Sequence, residues 1–367
     1  GHTGFKGTWI SQLLIELGAN VSGLSLLEIP SKPCLYDLLG LEKTLADLRG
    51  DITSLKTCNK AVDNSNPDIL IHMAAQPLVR LSYQKPILTY NTNIMGTVNI
   101  LEAVRNLDSI KAILVVTSDK CYNNTGSGES FNETSMLGGD DPYSSSKACA
   151  EHISLAYYKS YFRSNNIGLA TARAGNVIGG GDWSNDRLIP DIIKAWIKNE
   201  SVIIRSPNAI RPWQHVLEPI CGYLKLIQLL YIESNKFSGS WNFGPDQNKI
   251  KSVLDIVKIS QKFWSGKSIV KVQTDNSLHE ANILKLDNTK MKKQLGIKPK
   301  MSFEEALNNT IQWYEGFYYK KNMSLYGNLF GKDGREEITK ENQINTLYEM
   351  TKRFRFIDTC LLARMYM

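Results

Sequence analysis

Gly1-His2-Thr3-Gly4-Phe5-Lys6-Gly7 opens the chain, and Ile10, Leu13, Leu14 and Leu17 follow at helical spacing. Glycines spaced G-x-x-G-x-x-G let the backbone approach a pyrophosphate, and the N-terminus of the following helix meets its charge. The same spacing also suits a plain glycine-bearing turn. Position favours the phosphate reading, because a strand ends at Leu26-Leu27-Glu28, where the Glu28 carboxylate can accept from an adenosine ribose hydroxyl. Asp51, in Gly50-Asp51-Ile52, reads equally as an acceptor for the adenine amino group or as the N-cap of a helix starting near Ser54. A sheet of this type needs a strand ahead of the first glycine, and none precedes Gly1. The chain is therefore expected to be N-terminally incomplete, with function belonging to its complete parent.

Outward from that start, residues 1–175 alternate strand-like and helical stretches, the pattern of repeated βα units around a parallel sheet. Predicted strands are Asn20–Leu26, Asp68–Met73, Ala112–Thr117 and Gly168–Arg173, with helices over Phe5–Leu17, Ser54–Val62, Pro86–Asn106 and Pro142–Arg163. The fold class is α/β, a Rossmann-type doubly wound parallel sheet lacking its first strand, with a smaller C-terminal lobe. Residues 1–175 are assigned to the NAD-binding domain and 176–350 mainly to a substrate-binding lobe that closes over a ligand. Residues 351–367 form a tail with no assigned role.

Length and charge narrow the function classes. With 367 residues, 42% of them hydrophobic, the chain can bury a large core. A net charge of +7, from 43 basic and 36 acidic side chains, suits an anionic ligand. The basic residues are scattered and form no stripe, which argues against nucleic acid. Six cysteines without a C-x-x-C pair argue against a disulfide framework and point to a reducing cytoplasm. No His, Cys and carboxylate cluster has metal-ligand spacing, so no metal is expected. The apolar stretch Val216–Ile232 is interrupted by Glu218 and Lys225 and reads as an amphipathic helix, so no membrane association is expected.

Tyr143-Ser144-Ser145-Ser146-Lys147 sets a phenol and an ammonium four residues apart on one helix face. The lysine charge can favour phenolate and make the tyrosine a base near neutral pH. Such a pair also arises by chance on solvated helices. Its context is Leu114-Val115-Val116-Thr117-Ser118-Asp119-Lys120, an apolar strand ending in polar groups. In a parallel sheet the carboxyl ends of strands face the cofactor, which would bring those groups to Tyr143.

Longer strings carry a resemblance. They are Gly-His-Thr-Gly-Phe-Lys-Gly at 1–7, His-Met-Ala-Ala-Gln-Pro-Leu-Val-Arg at 72–80, Thr-Ser-Asp-Lys-Cys-Tyr at 117–122, Ala-Arg-Ala-Gly-Asn-Val-Ile-Gly-Gly-Gly-Asp-Trp at 172–183 and Arg-Pro-Trp-Gln-His-Val-Leu-Glu-Pro at 211–219. With these the sequence resembles the extended short-chain dehydrogenase/reductases of the NAD-dependent epimerase/dehydratase family, and within them the CDP-glucose 4,6-dehydratase branch. Asp119 followed by Lys120 is the feature of that branch. The dTDP-sugar dehydratases carry a glutamate at the second position, and epimerases carry small residues at both.

The resemblance implies a hydro-lyase that turns CDP-glucose into CDP-4-keto-6-deoxyglucose by internal hydride transfer through bound NAD, for deoxysugar and cell-surface polysaccharide synthesis. It implies Tyr143 as base at the 4-hydroxyl, with Ser118 and Lys147 binding that hydroxyl and the nicotinamide ribose. Lys120 would be the base at C5, and Asp119 the acid at the departing 6-hydroxyl. Cofactor contacts are implied for Gly1, Gly4, Phe5 and Gly7, for Glu28, Asp51 and Ile52, and for Ala74, Ala75, Asn93 and Thr117, beside Tyr143 and Lys147. Substrate contacts are implied for Gln76, Asn176 and Arg187, and Arg205, Arg211 and His215 would meet the diphosphate. Trp183 and Trp213 read either as sugar or base contacts or as core, and His72 as structural. A homodimer or dimer of dimers is expected through the helices 86–106 and 142–163. The competing readings are another nucleotide-sugar dehydratase or epimerase, or a non-catalytic nucleotide-binding protein of this fold.

Overall fold

In this computed structural model, which describes residues 1–246, 251–273 and 283–319, five short strands punctuate residues 1–175. They are β1 (Ser22–Ser25), β2 (Ala46–Arg49), β3 (Ile69–His72), β4 (Ala112–Val116) and β5 (Gly168–Ala174). β3, β4 and β5 run parallel, with Ile69 opposite Ala112 and Ala112 opposite Gly168. β1 and β2 form a separate parallel ladder, Ser22 opposite Ala46. The Gly1 nitrogen donates to the Leu24 carbonyl of β1. A Cβ on Gly1 would stand 2.7 Å from the Ala74 nitrogen just past β3. The opening glycine thus lies between the two ladders.

β4 and β5 are buried at every position, as parallel strands covered on both faces must be. Alternation along β4 feeds two cores. Leu114 and Val116 join Trp9, Ile10 and Leu13 of helix α1 (Phe5–Glu16) and Ile220, Tyr223 and Leu226 of helix Leu217–Ile232. Ile113 and Val115 join Val62, Ile100, Leu101 and Val104 on the other face. This is the doubly wound Rossmann-type α/β arrangement.

Several elements differ from expectation. β2 is a four-residue strand that sequence reading did not mark, paired with β1: on it Arg49 Nε bridges to Asp47 Oδ1 at 2.7 Å, and His2 Nε2 meets the same oxygen at 2.9 Å. The helix expected over 86–106 is broken into Pro86–Tyr90, a wide π-type turn at Asn91–Met95, and Gly96–Val104. In that wide turn the Asn93 side chain reaches across to Gln76 and Ser146. The helix from Pro142 ends at Tyr157 and continues as a π-type turn over Tyr158–Phe162.

Beyond residue 175 the strand Gly239–Phe243 pairs in parallel with β5, Gly239 opposite Ala170, so the main sheet draws on both halves of the sequence. The rest of this half builds small ladders, Val177–Ile178 with Gln214–His215 and Ser201–Ile204 with Ile269–Val272. Around them sit the helices Leu188–Ile197, Val253–Phe263 and Phe303–Tyr319. Among the described residues no helix is long and apolar enough to cross a membrane. The expected tail over 351–367 lies outside the described residues.

Candidate active site

The carboxyl ends of β3, β4 and β5 open into a cavity of about 610 Å³, roofed by residues from 176 to 213. Its position is the one a doubly wound sheet favours for ligands.

At one end stands the glycine loop. Helix α1 starts at Phe5 with Gly4 as N-cap and no capping side chain, which leaves its first N–H groups for a ligand. A Cβ on Gly7 would fall 2.0 Å from the Gly1 carbonyl oxygen, so only glycine lets these segments close into a cradle. Gly1, Gly4, Phe5, Gly7, Glu28, Asp51, Ile52, Ala74 and Ala75 all line the cavity. The cradle fits the pyrophosphate of a dinucleotide, and exposed Glu28 and Asp51 stand at its rim. Asp51 is not the helix cap: its Oδ1 accepts from the Thr53 nitrogen at 2.8 Å, and Ser54 caps the helix by accepting from Thr57.

At the other end β4 delivers Thr117, Ser118, Asp119 and Lys120, and the helix from Pro142 delivers Tyr143 and Lys147. The Ser118 hydroxyl donates to Asp119 Oδ1 at 3.1 Å and accepts from the Lys120 nitrogen at 3.2 Å. It also faces the Tyr143 phenol. Asp119 is 2% exposed, and its Oδ2 has no hydrogen-bond partner. Burial pushes the Asp119 carboxyl up, against the pull of Lys120, Ser118, Arg211 and Lys6. That upward direction is the one a general acid needs.

The phenol departs from the sequence reading. Burial pushes the Tyr143 hydroxyl up to about 12, and the Ser118 hydrogen bond opposes this only in part. Burial also lowers Lys147 to about 8, and its Nζ donates to the Val116 carbonyl at 3.3 Å. Desolvation is the largest influence on both groups, and at Tyr143 it outweighs the lowering by Ser118 and Arg187.

Asn176, Arg187, Arg205 and Arg211 line the same cavity. Arg187 donates to Asp182 Oδ2 at 3.1 Å and Arg205 to Asp186 Oδ1 at 3.2 Å. Arg211, 4% exposed, donates to the Ile210 carbonyl. Three expected contacts stand behind the wall instead. Gln76 turns inward to donate to Thr89 Oγ1 at 2.9 Å and the Leu78 carbonyl. Asn93 clamps the Gln76 backbone through its Oδ1 and Nδ2 and donates to Ser146 Oγ at 2.8 Å. His215 is 2% exposed, accepts from the Leu217 nitrogen, and is lowered by burial to about 4. A neutral enclosed imidazole brings no charge to a diphosphate.

Trp183 is core on one side, edge-on to Trp313 and donating to the Tyr318 hydroxyl at 3.0 Å, yet it also reaches the cavity, as does Trp213. His72 bonds Thr97 Oγ1 at 3.1 Å and is lowered by burial to about 3, so it is structural and neutral. Among the described residues no group of three or more His, Cys, Asp or Glu side chains could hold a metal ion.

Lys6 went unnoticed in the sequence. It lines the cavity in the first turn of α1, where a cation opposes the helix dipole. That mismatch was the available signal.

Known proteins fit this architecture. The sequence model of the GDP-mannose 4,6 dehydratase family matches residues 1–310. A CDP-glucose 4,6-dehydratase of Salmonella typhimurium is 45% identical over 330 residues, covering 89% of this chain and 92% of that one. A dTDP-glucose 4,6-dehydratase of Xanthomonas campestris is 25% identical, covering 86% and 91%. Among solved structures, a dTDP-glucose 4,6-dehydratase of Bacillus anthracis in complex with NAD superposes with a TM-score of 0.70 at 23% identity, covering 86% of this chain and 94% of that one. A UDP-glucose 4-epimerase of Thermus thermophilus, also with NAD, reaches 0.75 at 21%, covering 86% and 97%. The solved structures attest the fold, while the matched family and the Salmonella relative establish kinship: the chain belongs to the nucleotide-sugar 4,6-dehydratase family.

Proposed function

We propose that the protein is a CDP-glucose 4,6-dehydratase, converting CDP-glucose to CDP-4-keto-6-deoxyglucose and water with NAD as a recycled cofactor. The observation that carries this reading is the meeting of Ser118, Asp119 and Lys120 with Tyr143 and Lys147 in one cavity. Redox alone needs a base at one hydroxyl. Elimination needs in addition an acid and a base at C5 and C6, which Asp119 and Lys120 supply. The 45% identity to the Salmonella enzyme supports the cytidine nucleotide.

Bound NAD would supply the hydride acceptor for sugar C4 and the hydride donor for C6. Tyr143 accepts the proton of the 4-hydroxyl as phenolate, a form that the positive nicotinamide ring of bound NAD would favour against the burial that raises the phenol, with Ser118 bonded between the phenol and Asp119, and Lys147 holds the nicotinamide ribose. Once C4 is a ketone, its C5 proton is acidic. Lys120 takes that proton while Asp119 protonates the oxygen leaving C6, and Lys120 later returns the proton to C5. Glu28 and Asp51 serve the adenosine end, and the glycine cradle the pyrophosphate. Arg187, Arg205, Arg211 and Asn176 serve the substrate diphosphate. Residues 1–175 hold the cofactor, and the later half closes over the sugar nucleotide.

A homodimer in the cytoplasm goes with this reading. Ile87, Leu88 and Met95 on one helical run and Leu155 and Tyr161 on the other are exposed, Ile87 to 75%, an apolar surface suited to a second copy.

The test is a side-by-side comparison of kcat/KM for CDP-, dTDP-, GDP- and UDP-hexoses. CDP-glucose is expected to lead by at least tenfold. Preference for another nucleotide keeps the chemistry and overturns the substrate, and a 4-epimer product overturns the dehydration.

A further inference from the structure

Lys6 is the least explained cation in the cavity. Its ammonium lies 6.0 Å from the centre of the Tyr223 ring, within cation–π range. It feels the charges of Arg187, Lys147 and Asp119. No hydrogen bond to another described residue holds it. It is the second residue of α1, whose first turn contains no acid, so the positive end of the helix works against it. A desolvated ammonium in such a place costs stability unless a ligand meets it. Beside it, Asp119 Oδ2 is enclosed and equally without a partner. Half-buried Lys6 and the unpartnered carboxyl of Asp119 thus line one cavity and feel each other's charge.

We propose that Lys6 is a substrate-contacting residue that donates a hydrogen bond to the C6 oxygen of the sugar and stays bonded to it as it leaves as water. The inference rests on the dehydration proposed above. As the C6–O bond breaks, its electron pair goes to oxygen, which takes the Asp119 proton. The C5 proton goes to Lys120, and a C5–C6 double bond forms. Lys6 remains an ammonium throughout and stabilises the charge growing on oxygen. Burial lowers it only to about 8, so the donating form prevails at neutral pH.

The test pairs Lys6→Met with CDP-6-deoxyglucose, which lacks the C6 oxygen, in the Tyr143→Phe background, where binding is measured by calorimetry without turnover. Lys6→Met should weaken CDP-glucose about tenfold or more, the usual loss for a hydrogen bond to a charged donor, and leave CDP-6-deoxyglucose within about twofold. With Tyr143 intact, Lys6→Met should still oxidise C4, so reduced nicotinamide accumulates in a single turnover of CDP-glucose, whereas the unsubstituted enzyme shows little. Equal weakening of both ligands, or loss of NAD affinity alone, would place Lys6 on a phosphate and overturn the inference. Lys6→Gln, which keeps a donor without charge, should recover part of the CDP-glucose affinity; if both variants lose CDP itself, the lysine is structural and the inference fails. If the unsubstituted enzyme does not dehydrate CDP-glucose, the reading of the site falls and the inference falls with it.

Discussion

Arg173 donates to Glu151 Oε2 at 2.7 Å, with both side chains almost fully enclosed. Glu151 lies one helical turn beyond Lys147 and also accepts from Thr117, Thr171 and Ser240. The pair ties the helix carrying Tyr143 and Lys147 to β4, β5 and the strand Gly239–Phe243, directly beneath the cavity. Burial pushes the Glu151 carboxyl up, but Arg173 and the two threonines outweigh it and hold it below the ordinary carboxylate range. Its contribution is therefore present above the ordinary glutamate pKa and is lost as pH falls through the depressed value. Glu151→Gln leaves a buried guanidinium uncompensated and should destabilise the protein by about 3–5 kcal/mol, read from urea midpoints. A loss under about 1 kcal/mol would mean the pair is more solvated than its geometry indicates.

The sheet was legible where burial on both faces made β4 a continuous apolar run, whereas β5 carries Thr171 and Arg173 within its apolar stretch. β2 was not, since its alternation of Ala46, Asp47, Leu48 and Arg49 spans only four residues. Nor was Gly239–Phe243, whose partner strand lies some seventy residues earlier and whose pairing leaves no local mark. In the site, residue types in motif strings marked the right region but not which way each side chain turns. Gln76, Asn93 and His215 face inward because the backbone there needs their hydrogen bonds more than the cavity does. Lys6 carried a readable clue in its clash with the helix dipole.

Lys147 offers a pH test. Its folded value is about 8 against an ordinary 10.5, so between these values the unfolded chain binds more protons and stability rises with pH. Below about pH 8 the full cost of the buried ammonium is present. Lys147→Met should therefore melt higher than the parent at pH 7, although inactive, and its advantage should shrink as pH rises from about 8 toward 10.5. Thermal midpoints across that range decide it, and a constant advantage would contradict the buried-ammonium account.

Gly7→Ala places a methyl group against the Gly1 carbonyl, where the gap is 2.0 Å. The cradle must open, and NAD affinity should fall at least tenfold while affinity for the free nucleotide CDP changes little. Fluorescence titration with each ligand separates the two, and intact NAD binding would show the loop to be no pyrophosphate site.

Ile87→Asp should convert the expected dimer to monomer at micromolar concentration, as measured by light scattering, because the charge would be buried in an apolar self-complementary face. A monomer before substitution would contradict the dimer directly.

The most direct test of the dehydration is incubation of the protein with NAD and CDP-glucose in deuterated water, with the product followed by NMR. The account predicts a 4-keto-6-deoxy sugar carrying deuterium at C5, since the C5 proton passes through Lys120 and exchanges there. A product that keeps its C5 hydrogen would contradict that base step, and CDP-galactose or unchanged CDP-glucose would contradict the dehydration itself.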